Sequence, residues 1–144
     1  MPEVAIDFDS MIIREEGETL HAYQDHLGFW TLGVGRLIDQ RKGGGISRRE
    51  SRFLLANDKE TVMAGLDARL SWWRMLNEPR QAVLMGMCFQ MGVDGLMEFR
   101  NTLNFVRTGQ WLEAAKGMLA SRWAAQTPER AKRMADQMRY GVWQ

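Results

Sequence analysis

Glu16, Asp25 and Thr31 are residues of this chain whose types could together serve one reaction. Hydrolysis of a glycosidic bond needs two carboxyl groups on opposite sides of the scissile linkage. One is protonated and releases the leaving oxygen; the other is an ionised carboxylate that acts on water or attacks the sugar directly. Asp25 follows Glu16 by nine residues, and Thr31 follows Asp25 by six, so a hydroxyl able to aim a water lies near both in sequence. Spacing alone does not single the pair out, because eighteen acidic residues offer many such pairs.

The elements around them suit the task. Asp7 to Gly17 reads as a helix with Phe8, Met11 and Ile12 on a partly apolar face, and Gly17 is a suitable terminator, which puts Glu16 at the helix end. Residues 20–37 are rich in β formers, and Asp25-His26-Leu27-Gly28 supplies a turn, so a hairpin is predicted. From Trp30 the pattern alternates: Trp30, Leu32 and Val34 point one way, and Thr31, Gly33 and Gly35 the other. The second face is nearly bare and lets a ligand approach the backbone. A helix end facing a hairpin can hold two carboxyls across a cleft.

Downstream, Lys42-Gly43-Gly44-Gly45 marks a surface turn. Ser47-Arg48-Arg49-Glu50 is a capping box opening a long helix to about Leu70, roughly 30 Å and enough to bridge two lobes. Pro79 opens a helix ending near Gly92, Asn101 to Arg107 is a short one closed by Gly109, and Gln110 to Ser121 is amphipathic. Thr127-Pro128 supplies an N-cap and first-turn proline for a last helix to about Arg139. The fold class is α+β: mostly helical, with one small N-terminal hairpin or sheet.

Composition narrows the function classes. The chain of 144 residues is long enough for one domain with a real core, or for two small lobes sharing a helix. No apolar run approaches the ~20 residues of a membrane span, so no stable membrane insertion is expected. Residues 1–10 have neither the basic start nor the apolar stretch of a secretory signal, and synthesis in the cytoplasm without self-export is expected. Cys88 is the single cysteine and reads as a buried hydrophobe; His21 and His26 lack neighbours at metal spacing, so no metal is expected. Residues 100–144 carry eight Lys or Arg against three acidic residues, the remainder eleven against fifteen. That asymmetry suggests either an anionic partner for the C-terminal half or a solvated basic face.

Several segments together carry a family resemblance. Glu15-Glu16-Gly17, Tyr23-Gln24-Asp25 and Gly28-Phe29-Trp30-Thr31-Leu32-Gly33-Val34-Gly35 resemble the N-terminal signature of the T4 lysozyme family of phage-type endolysins. Phe89-Gln90-Met91-Gly92, Ser121-Arg122-Trp123 and Gln126-Thr127-Pro128-Glu129-Arg130-Ala131-Lys132-Arg133 match further family segments in order, so the likeness covers about residues 8–143. The resemblance implies a lysozyme-like domain over 1–144, with an N-terminal lobe at about 14–58 and a helical lobe at about 70–144 plus the first helix. It implies that Glu16 is the acid, Asp25 the second carboxylate and Thr31 the water-orienting hydroxyl. It further implies that Arg130 pairs with Glu16, and that Gly33, Leu37, Phe89, Gln90, Trp123, Gln126 and Arg130 contact substrate. Arg36 stands where the family usually has His; an ion pair with Asp58 on the long helix is predicted in place of the family's His–Asp pair. The Gly-rich connection before the long helix is also shorter than the family's.

The implied activity is hydrolysis of the β-1,4 bond between N-acetylmuramic acid and N-acetylglucosamine, with inversion and without cofactor. A host-lysis enzyme acting as a monomer on the wall after release by a holin-type partner follows from the same resemblance; a virion-borne wall-degrading enzyme is the alternative. Two other classes stay open: a non-catalytic wall-binding module, and a membrane-active last helix built on Arg130, Lys132, Arg133 and Arg139 with Met134, Met138 and Trp143. The three reactive residues weigh against a pure binder. Asp25 and Thr31 weigh against a lytic transglycosylase, which needs no water-directing aspartate. Nucleic acid is not the expected partner.

Overall fold

The computed structural model describes residues 7–38 and 44–144. These divide into two compact units, one up to Phe53 and one from Leu54 to Gln144. Of the glycine-rich turn expected at residues 42–45, Lys42 and Gly43 lie outside the described residues.

The first unit holds helix α1 (Phe8–Glu16), strands β1 (Thr19–Gln24), β2 (Trp30–Gly33) and β3 (Arg36–Leu37), and the start of helix α2 (Arg48–Arg69). Helix α1, which the family resemblance groups with the C-terminal lobe, falls within this unit. Asp7 caps it by accepting from the Ser10 amide at 2.7 Å, and Gly17, at φ 73°, ends it. The strands form an antiparallel sheet in the order β1-β2-β3, with Tyr23 and Leu37 opposite Thr31 from either side. The expected hairpin is therefore a three-stranded sheet, its last strand two residues long.

The capping box forms as expected: the Glu50 amide donates to Ser47 Oγ at 3.1 Å, and the Ser47 amide donates to Glu50 Oε1 at 3.0 Å. The same Glu50 carboxylate receives Arg36, whose Nη1 lies 3.0 Å from Oε1 and 2.8 Å from Oε2 and also reaches the Gly45 carbonyl at 3.3 Å. This corrects the predicted Arg36–Asp58 pair. The capping box already fixes Glu50 within the same unit as β3, and the Arg36 guanidinium takes that immobilised carboxylate.

Hydrogen bonds from Arg36 and from Ser47 hold the Glu50 carboxyl well below its usual range, at about 2 instead of 4.5. A depressed carboxyl stabilises the folded state above its unfolded pKa, and that contribution disappears as pH falls from about 4.5 through about 2. Melting midpoints of wild type and Glu50→Gln should therefore differ at neutral pH and converge through that window. A difference that stays constant with pH would contradict the pairing.

The second unit continues α2 and adds a 3-10 turn (Trp73–Met75), α3 (Glu78–Met97), α4 (Arg100–Arg107), α5 (Trp111–Leu119), α6 (Arg122–Gln126) and α7 (Pro128–Tyr140). Val62, Leu66, Trp73, Leu84, Met87, Leu96, Val106, Met118 and Met138 are at the centre of its core. Asn77 caps α3, accepting from the Arg80 amide. Gly92, expected to end this helix, instead kinks it at φ 77°, and the helix resumes to Met97. Thr127 precedes Pro128 as expected but does not cap α7. Its hydroxyl donates to the Trp123 carbonyl at 3.0 Å, finishing α6 instead. Helix α7 buries Ala131, Ala135 and Met138 in the core, so Met138, one of the apolar residues of the membrane-active alternative, packs inside the protein. Among the described residues no single helix is long and apolar enough to cross a membrane.

Arg80 fastens the last helix. Its Nε donates to the Met138 carbonyl at 2.7 Å and its Nη2 to the Arg139 carbonyl at 3.0 Å, and the guanidinium lies 3.8 Å from the Trp111 ring centroid. A cation at a helix C-terminus that also stacks on indole combines three favourable terms. Arg80→Ala should lower unfolding free energy by about 3 kcal/mol, read as a lower urea midpoint. Arg80→Lys should recover only part, because an ammonium lacks the planar fork. An unchanged midpoint in the alanine variant would remove Arg80 from this role.

Candidate active site

Glu16 and Asp25, both in the first unit, are each positioned by local chemistry. Glu16 is the last residue of α1, and the turn at Gly17 leaves its side chain exposed. The carboxyl lies over Gly35, where an added Cβ would stand 2.7 Å from Glu16 Oε2. The bare strand face predicted to admit a ligand is in part occupied by the protein's own carboxyl. Gly33 on the same face is open: a Cβ added there would meet nothing within 4 Å.

Asp25 sits in the turn after β1. Its Oδ1 accepts from the Leu27 and Phe29 amides, both at 2.9 Å, while its own amide donates to the Phe29 carbonyl at 2.8 Å. This Asx turn fixes the carboxylate plane and leaves Oδ2 without a hydrogen bond among the described residues. Thr31, on the central strand, is buried at 4% exposure, and its Oγ1 donates to the Phe29 carbonyl at 3.1 Å. Asp25 and Thr31 are thus both tied to the peptide groups of one residue. Because the Thr31 proton is committed to that carbonyl, the hydroxyl oxygen keeps its lone pairs for an incoming donor. Leu37 is half-buried and pairs with Thr31 across the sheet.

In the second unit, Gln90, Trp123 and Gln126 line one pocket of about 440 Å³, together with Phe99, Glu98 and Arg122. Trp123 Nε1 donates to Gln90 Oε1 at 2.9 Å, and the Phe99 ring meets the Trp123 ring edge-on at 6.2 Å. Ser121 starts α6 by accepting from the Ala124 amide, which holds Trp123 in the first turn. An aromatic wall with amide and charged groups at the rim suits a polar organic ligand such as a sugar derivative. Phe89 does not line this pocket and is half exposed. Arg130 is also outside it, its Nη2 donating to the Gly86 carbonyl at 3.0 Å.

Sequence reasoning did not identify Gly35 as the seat of the Glu16 carboxyl, Phe29 as the anchor of Asp25 and Thr31, or Glu98, Phe99 and Arg122 as pocket walls. Gly35 carried a signal in its Gly-x-Gly spacing. Phe29 acts through its backbone, which leaves no trace in residue type.

The chain is similar to known proteins over most of its length. The family model for phage lysozyme matches residues 13–137. Two Dictyostelium discoideum proteins, probable T4-type lysozymes 1 and 2, are 27% and 29% identical, over 92% and 86% of this chain and 93% and 88% of their own lengths. The pre-baseplate central spike protein Gp5 of Enterobacteria phage T4 is 29% identical over 86% of this chain and 26% of its own length.

Proposed function

The chain belongs to the phage lysozyme family and is a lysozyme-type hydrolase, and from that premise we propose that it cleaves the β-1,4 bond between N-acetylmuramic acid and N-acetylglucosamine in bacterial peptidoglycan by inverting hydrolysis. The observation that carries this reading is the shared anchoring of Asp25 and Thr31 on Phe29.

Glu16 gives its proton to the glycosidic oxygen as the bond to the leaving sugar breaks. Asp25 Oδ2 and Thr31 Oγ1 both accept from one water, which attacks the sugar carbon from the opposite face. Asp25 receives the water's proton, and solvent exchange returns both carboxyls to their starting states. Rigid fastening of Asp25 and Thr31 suits this role, since a water held by two fixed acceptors is already oriented for attack. Gln90, Trp123 and Gln126 are assigned to saccharide contact, as are Gly33 and Leu37, and no cofactor takes part.

Proton NMR of the first product formed tests the stereochemistry. Inversion predicts that the α-anomer of the new reducing end appears before mutarotation. Early β-anomer would mean that Asp25 is a nucleophile instead.

The biological setting that fits is lysis of a bacterial host by a monomer that reaches the wall after a holin-type partner opens the inner membrane. The likeness to a phage spike protein favours one second setting, a wall-degrading enzyme carried in a virion. Finding the chain in purified particles would select the second; finding it only in infected cells would select the first.

A further inference from the structure

Much of the positive charge of the C-terminal half, Arg100 and Arg107 included, has no role in the proposed hydrolysis. Within the second unit it is also unevenly neutralised. Arg69 is held by Asp94 and Arg74 by Asp67, each at 2.7 Å. Arg100 and Arg107, at the two ends of α4, have no carboxylate partner among the described residues, and α4 itself contains no acidic residue.

A pocket of about 250 Å³ lies along this helix. Trp72, Met97 and Leu103 give it apolar walls, and Arg100, Asn104 and Arg107 give it a polar rim. The Asn104 side-chain carbonyl already accepts from Arg107 Nη2 at 2.8 Å, so Asn104 presents its NH2 group. The rim therefore offers N–H donors alone, two of them on permanent cations. At the start of α4, Phe99 supplies no side-chain cap.

Donors without acceptors, above apolar walls, select an anion carried on an apolar body. Residues seven apart on a helix are separated by about 10 Å along its axis, a gap that two arginine side chains can close on one shared group. A phosphate has the oxygens to engage both, and its charge of about −2 at neutral pH matches two guanidiniums better than the single charge of a carboxylate. We propose that this pocket binds a phosphorylated amphiphile, with its phosphate on Arg100, Asn104 and Arg107 and its chain along Trp72, Met97 and Leu103. The pocket shares no wall with the one containing Gln90 and Trp123.

Titration of the full-length chain with octyl phosphate below its micelle concentration tests the proposal, with inorganic phosphate and octyltrimethylammonium as comparison probes. Calorimetry should show one saturable octyl phosphate site per chain, at least about tenfold tighter than inorganic phosphate because the octyl chain is buried. Binding should weaken with added salt, and by about tenfold or more in the Arg100→Gln/Arg107→Gln variant. Peptidoglycan cleavage by that variant should be unchanged, which separates failure of this site from failure of the hydrolase reading. Equal octyl phosphate binding by wild type and variant would overturn the proposal. So would equal binding of the ammonium amphiphile, inorganic phosphate binding as tight as octyl phosphate, or no saturable binding.

Discussion

Replacing Glu16 by Gln should reduce peptidoglycan cleavage by about 10²–10⁴-fold, the usual contribution of a general acid, without loss of folding stability. Glutamine keeps the size and polarity of the side chain but has no proton to give to the leaving oxygen. Stability should hold because Glu16 is exposed at the C-terminal end of α1. A negative charge there opposes the helix dipole, so its removal is neutral or favourable by at most about 0.5 kcal/mol. Initial cleavage rates and urea midpoints measured on the same preparations separate the two effects. A structural role for Glu16 would lower both together; an acid loses only the first.

A second variant reaches the same carboxyl from the other side. Gly35 has φ 65°, and a Cβ placed there stands 2.7 Å from Glu16 Oε2. Two costs follow from Gly35→Ala. The left-handed backbone conformation costs about 1–2 kcal/mol for any residue with a Cβ. The close approach costs less in stability, because the atom that must give way ends a flexible side chain. What gives way, however, is the proposed acid. Misplacing a reacting group by about 1 Å can cost ~10²-fold in rate, and Gly35→Ala should lose activity on that scale. Gly109→Ala is the control. Its φ of 74° imposes similar strain, but the neighbour is the Trp111 ring at 3.7 Å, and it lies in the second unit. It should lose stability comparably and keep its activity. Equal activity losses in the two variants would mean that strain, not displacement of Glu16, is responsible.

What can be read from the sequence follows the range of the forces involved. Helix ends set by neighbouring residues are legible: Ser47 and Glu50 cap α2, and Gly17 closes α1. So are the residue types of the site, because paired carboxyls and a hydroxyl on a bare strand carry their chemistry in their side chains. The third strand, which depends on pairing across the sheet, is not. Strand β3 is two residues long and exists because Arg36 and Leu37 find partners on β2. The family pattern matches Arg36 to Asp58, yet the capping box already fixes Glu50 as an oriented acceptor. The hint lies in that motif, which announces the helix but not its second partner. Thr127 shows the limit of a local rule, since its hydroxyl serves the helix behind it and not the one ahead. The bare face that starts on β2 reads as room for a ligand, while at Gly35 the room is taken by Glu16.

The central claim is that this chain hydrolyses peptidoglycan with a water directed by Asp25 and Thr31. Mass spectrometry of the fragments that purified wild-type protein releases from peptidoglycan tests it most directly. The account predicts new reducing-end N-acetylmuramic acid, carrying oxygen-18 when digestion is run in labelled water. Anhydro-muramic ends without the label would contradict it, because the leaving N-acetylglucosamine would then have been displaced by a hydroxyl of the muramic acid residue itself and not by water.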